Sequence, residues 1–183
     1  MEQQKKIVIL EGPSGIGKDA IIKELIARFG DKIQKFTSYT TRARRKDEID
    51  GQHYHFVDTK TFKQKLKSGD IFEYTTRHRT YRGMSKALIN QILDTGKIAI
   101  KDCDFIGIKA LKAAYPNKVF TIFVTADKNT VRERLKKRGD IDIDTRLRDY
   151  DKIHMHIKDF DRIVVNDESI DAVVKKIQNI IGL

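Results

Sequence analysis

The run Gly12-Pro13-Ser14-Gly15-Ile16-Gly17-Lys18-Asp19 fits the spacing G-x-x-x-x-G-K at every required position. Glycines there let backbone N–H groups turn inward around phosphate oxygens. A helix opening just behind them adds its partial positive charge. Lys18 is a compact cation able to reach the terminal phosphates of a nucleotide. The next position usually carries a Ser or Thr whose hydroxyl meets Mg²⁺, and here it is Asp19. A carboxylate is also a hard oxygen ligand. Because Lys18 is retained, Asp19 is read as holding the metal, directly or through water, rather than as damage to the site.

Two more basic groups stand further along. Arg42, Arg44, Arg45 and Lys46 follow Ser38, with Glu48, Gly51 and Tyr54 spaced behind them. Arg42 and Arg45 each offer a planar fork of donors, and Ser38 and Tyr54 add hydroxyls. Taken alone, such a run is a solvated basic loop. The second group, Arg134 to Arg138 and then Arg146 and Arg148, flanks the acidic stretch Asp140–Asp144. Exposed helix charges forming pairs such as Glu133 with Lys137 are its plainer reading. The five histidines show no metal-ligand spacing. His53 and His55 fall on one face of a short strand, and His154 and His156 read as solvated helix residues.

The elements that must position these groups alternate. Lys6–Leu10 is an apolar run ending in a Gly-Pro turn, and Ala20, Ile21, Leu25, Ile26 and Phe29 carry helical spacing up to Gly30. Strands are expected over Ile33–Ser38, Tyr54–Val57, Ile71–Thr75, Arg79–Arg82, Lys97–Lys101, Val119–Val124 and Arg162–Val165. Helices are expected over Thr59–Lys67, Ser85–Asp94, Phe105–Tyr115, Asn129–Lys137, Thr145–His156 and Ser169–Ile181. Strand–helix alternation implies a parallel α/β sheet, and Ser38–Arg82 interrupts it as a small β-rich insertion.

Composition sets the outer bounds. The chain has 183 residues, enough for one domain with a sizeable core. It is 39% hydrophobic, too apolar and too patterned for disorder. Cys103, the one cysteine, cannot form an intrachain disulfide; with the polar start Met1–Lys6 and no apparent signal peptide, this points to the cytoplasm. No stretch approaches the ~20 apolar residues of a membrane span. The net charge of +11 favours anionic partners. Nucleic acid is disfavoured because neither an aromatic nor a helix-turn-helix signature accompanies it.

From Ile7 to Ile181 the chain resembles the guanylate kinases. The segment Ser38-Tyr39-Thr40-Thr41-Arg42-Ala43-Arg44-Arg45, with Glu48, Gly51, Tyr54 and Phe56, is similar to that family's S-x-T-T-R-x-x-R-x-x-E-x-x-G-x-x-Y-x-F. The resemblance implies a P-loop kinase fold: a parallel-sheet core (1–37, 83–125 and 157–183), a nucleoside-monophosphate-binding insertion (38–82) and a short helical lid (126–156). It assigns Ser38, Arg42, Arg45 and Tyr54 to the acceptor phosphate and includes Glu48 in the acceptor segment. Glu73 and Asp104 are placed against guanine, whose adjacent N1–H and N2 amino donors a carboxylate matches. Asp102 joins Asp104 on the acceptor side and Asp19 as a metal ligand. By the same resemblance Arg138 and Arg146 are lid cations, with Arg148 as a further candidate, and Asn166, in Val164-Val165-Asn166-Asp167, is placed near the adenine of ATP.

Departures from the family pattern concentrate on the acceptor side. A Tyr-Tyr-Gly-Ser/Thr run is replaced by Tyr81-Arg82-Gly83-Met84. Arg82 keeps a phosphate contact with added charge, whereas Met84 loses a strong donor. Ser85 is next door and is expected to face elsewhere. Ile106 stands for a usual Gln, and Lys101 for an apolar strand residue. The implied activity is phosphorylation of GMP or dGMP by ATP with Mg²⁺. The alternatives are a ribose 1,5-bisphosphate kinase, whose loop often reads G-K-D, and a non-catalytic guanylate-kinase-like binding module.

Overall fold

A computed structural model describes residues 6–77, 79–167 and 169–183. The polar start before Lys6 lies outside the described residues. The first half runs β1 (Ile7–Glu11), α1 (Lys18–Phe29), β2 (Ile33–Lys35), β3 (Tyr39–Thr40), β4 (His55–Phe56), α2 (Thr59–Lys67), β5 (Ile71–Arg77) and β6 (Thr80–Ser85). The second half runs α3 (Lys86–Asp94), β7 (Ile98–Asp102), α4 (Phe105–Ala114), β8 (Val119–Thr125), α5 (Lys128–Arg138), α6 (Ile143–His154), β9 (Arg162–Val165) and α7 (Ile170–Ile181).

Five strands form a parallel sheet in the order β2-β7-β1-β8-β9. It is covered on both faces, so its central strands are apolar throughout. Val8 and Leu10 of β1 join Ile21, Leu25, Val131, Val173 and Ile177 from α1, α5 and α7. Ile7 and Ile9 join Ile89, Ile108 and Leu111 from α3 and α4. This alternation along one strand places a core on each side. The loops at the carboxyl ends of β1, β7 and β8 then share one rim, where ligands of open α/β sheets bind.

A second sheet, β4-β3-β6-β5, takes in the expected insertion and runs beyond it, because β6 continues to Ser85. Its β3 and β4 are parallel, and β6 runs antiparallel to both β3 and β5. The expected strand over Ile33–Ser38 is divided. β2 stops at Lys35, the Phe36 amide still donates to the Ile100 carbonyl, and the chain then crosses to β3 in the other sheet. The division exists because Phe36 is a buried plug between the sheets, packed with Met84 and Ala99. α2 is capped as its sequence predicts, with the Asp58 carboxylate accepting from the Thr61 amide at 2.6 Å. α6 begins two residues earlier than expected, at Ile143.

Candidate active site

The phosphate loop joins β1 to α1. Gly12 has φ +152°, and a Cβ there would fall 2.0 Å from the Val124 carbonyl oxygen, so no side chain fits. Ile16 is fully buried and fastens the loop to the core beside Val131 and Leu135. Its carbonyl accepts from Asn166 Nδ2 at 2.6 Å, while the Asn166 amide donates to the Thr125 carbonyl. α1 starts at Gly17 in the left-handed region, φ 93°, with no side-chain cap. A helix start of this kind suits an anion. Lys18 Nζ donates to the carbonyls of Gly12 at 2.5 Å and Pro13 at 3.2 Å. Burial pulls its pKa below the ordinary lysine value, against the opposing charges of Asp102, Asp19 and Glu11. Asp19 points to solvent, its side chain 87% exposed, with Lys35 Nζ at 3.7 Å.

A cavity of about 480 Å³ opens beside the loop and is bounded by Lys18, Ser38, Tyr54, Glu73, Met84 and Asp104. A neighbouring one of about 650 Å³ holds Arg42, Arg45 and Tyr81. Thr75 and Arg82 border both. The Arg82 guanidinium carbon lies 4.7 Å from the Tyr54 ring centroid.

Arg42 is held bidentately by Glu48, at 2.6 and 3.0 Å, and the same carboxylate accepts from the Arg45 amide at 2.8 Å. The Arg42 hydrogen bonds, then that of the Arg45 backbone, draw the Glu48 carboxyl down to about 2. Glu48 is thus a brace for the two arginines, its oxygens already engaged by them.

Glu73 has its pKa raised by burial and by the nearby charge of Asp104, with Lys101 opposing. Asp104 caps α4 by accepting from the Gly107 amide at 2.9 Å. Ser85 faces away, donating to Asp70 at 2.6 Å and capping α3. Burial lowers the Lys101 ammonium to about 8. Glu11 is buried at 7% exposure, and among the described residues its Oε2 has no hydrogen-bond partner. Burial, then the Asp104 charge, lifts its pKa to about 7 against the pull of Lys18.

Two cations of the α5–α6 pair converge on one atom of the phosphate loop. Arg146 Nη1 donates to Ser14 Oγ at 2.6 Å, and Arg138 Nη2 lies 3.4 Å from it. Asp140 sits between them, 2.6 Å from Arg138 Nε and 3.4 Å from Arg146 Nη2. Arg134, read from sequence as an exposed helix charge, is half-buried and donates to the Asn166 carbonyl at 2.9 Å. Glu133 pairs with Lys136 at 3.0 Å rather than with Lys137. His154 is not a solvated residue: its ring stacks on Tyr150 at 3.9 Å between centroids, and Nε2 lies 2.7 Å from Thr125 Oγ1. His53 and His55 do not share a strand face. His53 lies in a turn, where Nδ1 accepts from the Ile49 amide.

Comparison with known proteins gives this arrangement a family. A family model described as guanylate kinase matches residues 4–182. The chain belongs to the guanylate kinase family. A guanylate kinase of Helicobacter pylori is 38% identical over 139 residues, covering 76% of this chain and 67% of that protein. Guanylate kinase 1 of Arabidopsis thaliana is 31% identical over 184 residues, covering 98% of this chain and 48% of that longer protein. The crystal structure of guanylate kinase from Anaplasma phagocytophilum superposes with a TM-score of 0.68 at 26% identity, covering 96% of this chain and 84% of that one.

The guanylate kinase family is a class of enzymes, nucleoside monophosphate kinases, and the parallel core seen here agrees with its P-loop kinase fold. Among the described residues no helix is long and apolar enough to cross a membrane. Nor, among them, could any group of three or more His, Cys, Asp or Glu hold a metal ion. Mg²⁺ needs no such cage, since one or two carboxylates with substrate phosphates and water suffice. Asp19 and Asp102 line the same cavity as Lys18, and as hard oxygen donors their carboxylates are of the type this ion takes. Arg134, His154 and the bracing role of Glu48 were missed in the sequence. For Glu48 a signal existed, because a carboxylate among four cations suits an arginine better than an anionic substrate.

Proposed function

We propose that the chain transfers the γ-phosphoryl group of ATP to the phosphate of GMP or dGMP, releasing ADP and the corresponding diphosphate. The observation that carries this reading is a shared cavity. Lys18 of the phosphate loop and the acids Glu73 and Asp104 line the same space, and Arg82 joins it to Arg42 and Arg45. Donor phosphates at Lys18 and an acceptor phosphate at the arginines then face each other across one opening. The acids provide acceptors for the N1–H and N2 donors of guanine.

An oxygen of the acceptor phosphate attacks the γ-phosphorus as the bond to the β-bridging oxygen breaks. That oxygen is already anionic, so no general base is required. The protein's task is to hold two repelling anions in line and to stabilise charge on the moving group. Lys18 serves the donor, Arg42 and Arg45 the acceptor, and Arg138 and Arg146 the transferring group. Residues 126–156 act as the lid that delivers the last two and excludes water. Asp19 and Asp102 would hold Mg²⁺, which neutralises part of the phosphate charge when bound. Asn166 steadies the loop through Ile16.

Steady-state ADP release with Mg²⁺-ATP and a panel of GMP, dGMP, AMP and ribose 1,5-bisphosphate tests the assignment. Turnover with the guanine nucleotides far above the other two is expected. Turnover of ribose 1,5-bisphosphate alone would transfer the reading to the sugar kinase, whose loop often reads G-K-D as at Gly17-Lys18-Asp19. ATP binding without turnover of any acceptor would make it a binding module.

A further inference from the structure

Lys101 is a cation on a strand face that is otherwise apolar. Side chains of β7 alternate: Ile98 and Ile100 join the core beneath α1 and α7, and Ala99 joins Phe36, Met84 and Ile108 on the other side. Lys101 lies two residues beyond Ala99 and so shares the Phe36 and Met84 face. It lines the cavity that holds Glu73 and Asp104, and its charge acts on Glu73. Its ammonium has three N–H groups, and the Phe36 carbonyl at 3.5 Å takes at most one of them.

The guanine edge carries an acceptor, O6, beside the donors N1–H and N2. A complementary pocket therefore needs a donor next to its carboxylates. Other cations around this cavity are engaged elsewhere, and the Ser38 and Tyr54 hydroxyls belong to the acceptor-phosphate set. Met84 has only a thioether, and the Ser85 hydroxyl donates to Asp70. Lys18 is turned onto the phosphate loop, Lys35 lies by Asp19, and Arg82 stacks over Tyr54. Thr75 opens onto the arginine cavity as well.

We propose that Lys101 reads the base, donating from its ammonium to guanine O6 beside the Glu73 carboxylate; this rests on the GMP-kinase reading above. The same ammonium repels adenine, which presents an amino donor where guanine has O6. Lys101 then both selects one purine and rejects the other.

The test compares wild type, Lys101→Met and Lys101→Gln in steady-state assays with saturating Mg²⁺-ATP. Acceptors are GMP, inosine monophosphate (which keeps O6 and N1–H) and 2-aminopurine riboside monophosphate (which keeps the amino group and lacks O6). Lys101→Met is expected to raise KM for GMP and inosine monophosphate by about 10- to 100-fold, with kcat within about threefold. KM for the 2-aminopurine nucleotide should change by less than about threefold, and Lys101→Gln, which keeps an uncharged donor, should fall between. The ratio of KM values for 2-aminopurine nucleotide and GMP is internal to each preparation, so a general loss of folded protein leaves it unmoved. An unchanged ratio in both variants, with wild type turning over GMP, would overturn the role of Lys101 alone. A wild type that does not phosphorylate GMP would overturn the functional reading and this inference with it.

Discussion

Arg146 Nη1 donates to Ser14 Oγ at 2.6 Å across 132 residues of chain, and Arg138 approaches the same hydroxyl at 3.4 Å. Two cations of the α5–α6 pair thus converge on the third residue of the phosphate loop. Asp140 pairs with both guanidinium groups, at 2.6 Å from Arg138 Nε and 3.4 Å from Arg146 Nη2. Its side chain is largely covered, and the Arg138 hydrogen bond holds its pKa below the usual aspartate value. A neutral hydroxyl takes the place that an anionic oxygen would fill better, so the contact should give way when a phosphate arrives.

Removing either cation should slow the chemical step. Arg138→Ala and Arg146→Ala are each expected to lower kcat by about 10²–10³, roughly 3–4 kcal/mol of transition-state stabilisation. Arg148, which is exposed and bonds Thr145 at 3.0 Å, serves as the control, with kcat within about threefold for Arg148→Ala. Equal effects at all three positions in saturating steady-state assays would mean that the charges act only on the overall field.

Lys18→Ala should cost roughly 3–4 kcal/mol at the transition state, a rate loss of about 10²–10³. Its ammonium is tied to loop carbonyls at 2.5 and 3.2 Å, so the exchange for donor phosphates is local. Single-turnover transfer near the wild-type rate would remove the phosphate loop from the mechanism.

Glu48→Gln separates bracing from substrate contact. The amide is nearly isosteric but cannot hold Arg42 as an ion pair. If Glu48 positions the arginines, KM for the acceptor nucleotide should rise about tenfold while KM for ATP stays within about twofold. Were Glu48 instead repelling the acceptor phosphate, the substitution would tighten acceptor binding, and a lower KM would show it.

How much of this was legible in the sequence follows from where each partner lies along the chain. β9 spans Arg162–Val165 and α2 spans Thr59–Lys67, as their spacing predicts, because an apolar run and an Asp58 cap are local signals. The phosphate loop was equally plain, since its whole pattern fits within eight consecutive residues. The contacts that were missed join distant segments. Asn166 reaches Ile16 across 150 residues, Arg134 reaches Asn166 across 32, and His154 reaches Thr125 across 29. No periodicity records such a pairing. The division of the expected strand at Phe36 has the same origin, because only the second sheet decides where the chain must leave the first.

Asn166 gives that long-range contact a measurable weight. Asn166→Ala would leave the Ile16 carbonyl without its 2.6 Å donor in a buried place. The expected loss is about 1–3 kcal/mol of folding stability. ATP affinity should fall as well, since the loop amides lose their support. Urea unfolding with and without ATP would measure both, and a stability loss with unchanged ATP affinity would confine Asn166 to the fold.

Glu11 makes stability depend on pH in a direction that can be worked out. Its ordinary value of 4.5 is raised to about 7 in the folded chain, by burial first and the Asp104 charge second. Between these two values the unfolded chain has lost the proton and the folded chain keeps it. Folding stability from this group therefore falls as pH rises from about 4.5 to about 7, and is level above. The side chain is only 7% exposed, so screening by solvent is small, and the fall should be about 2–3 kcal/mol. Glu11→Gln abolishes the titration while keeping the shape. The stability of the variant minus that of wild type should thus grow in the variant's favour by that amount from pH 4.5 to pH 7, then stop changing. Denaturant titrations at intervals between pH 4.5 and pH 8 measure the difference directly. A difference that stays flat across the range would mean that Glu11 ionises in the folded protein as it does in the unfolded one, with water or a cation reaching Oε2.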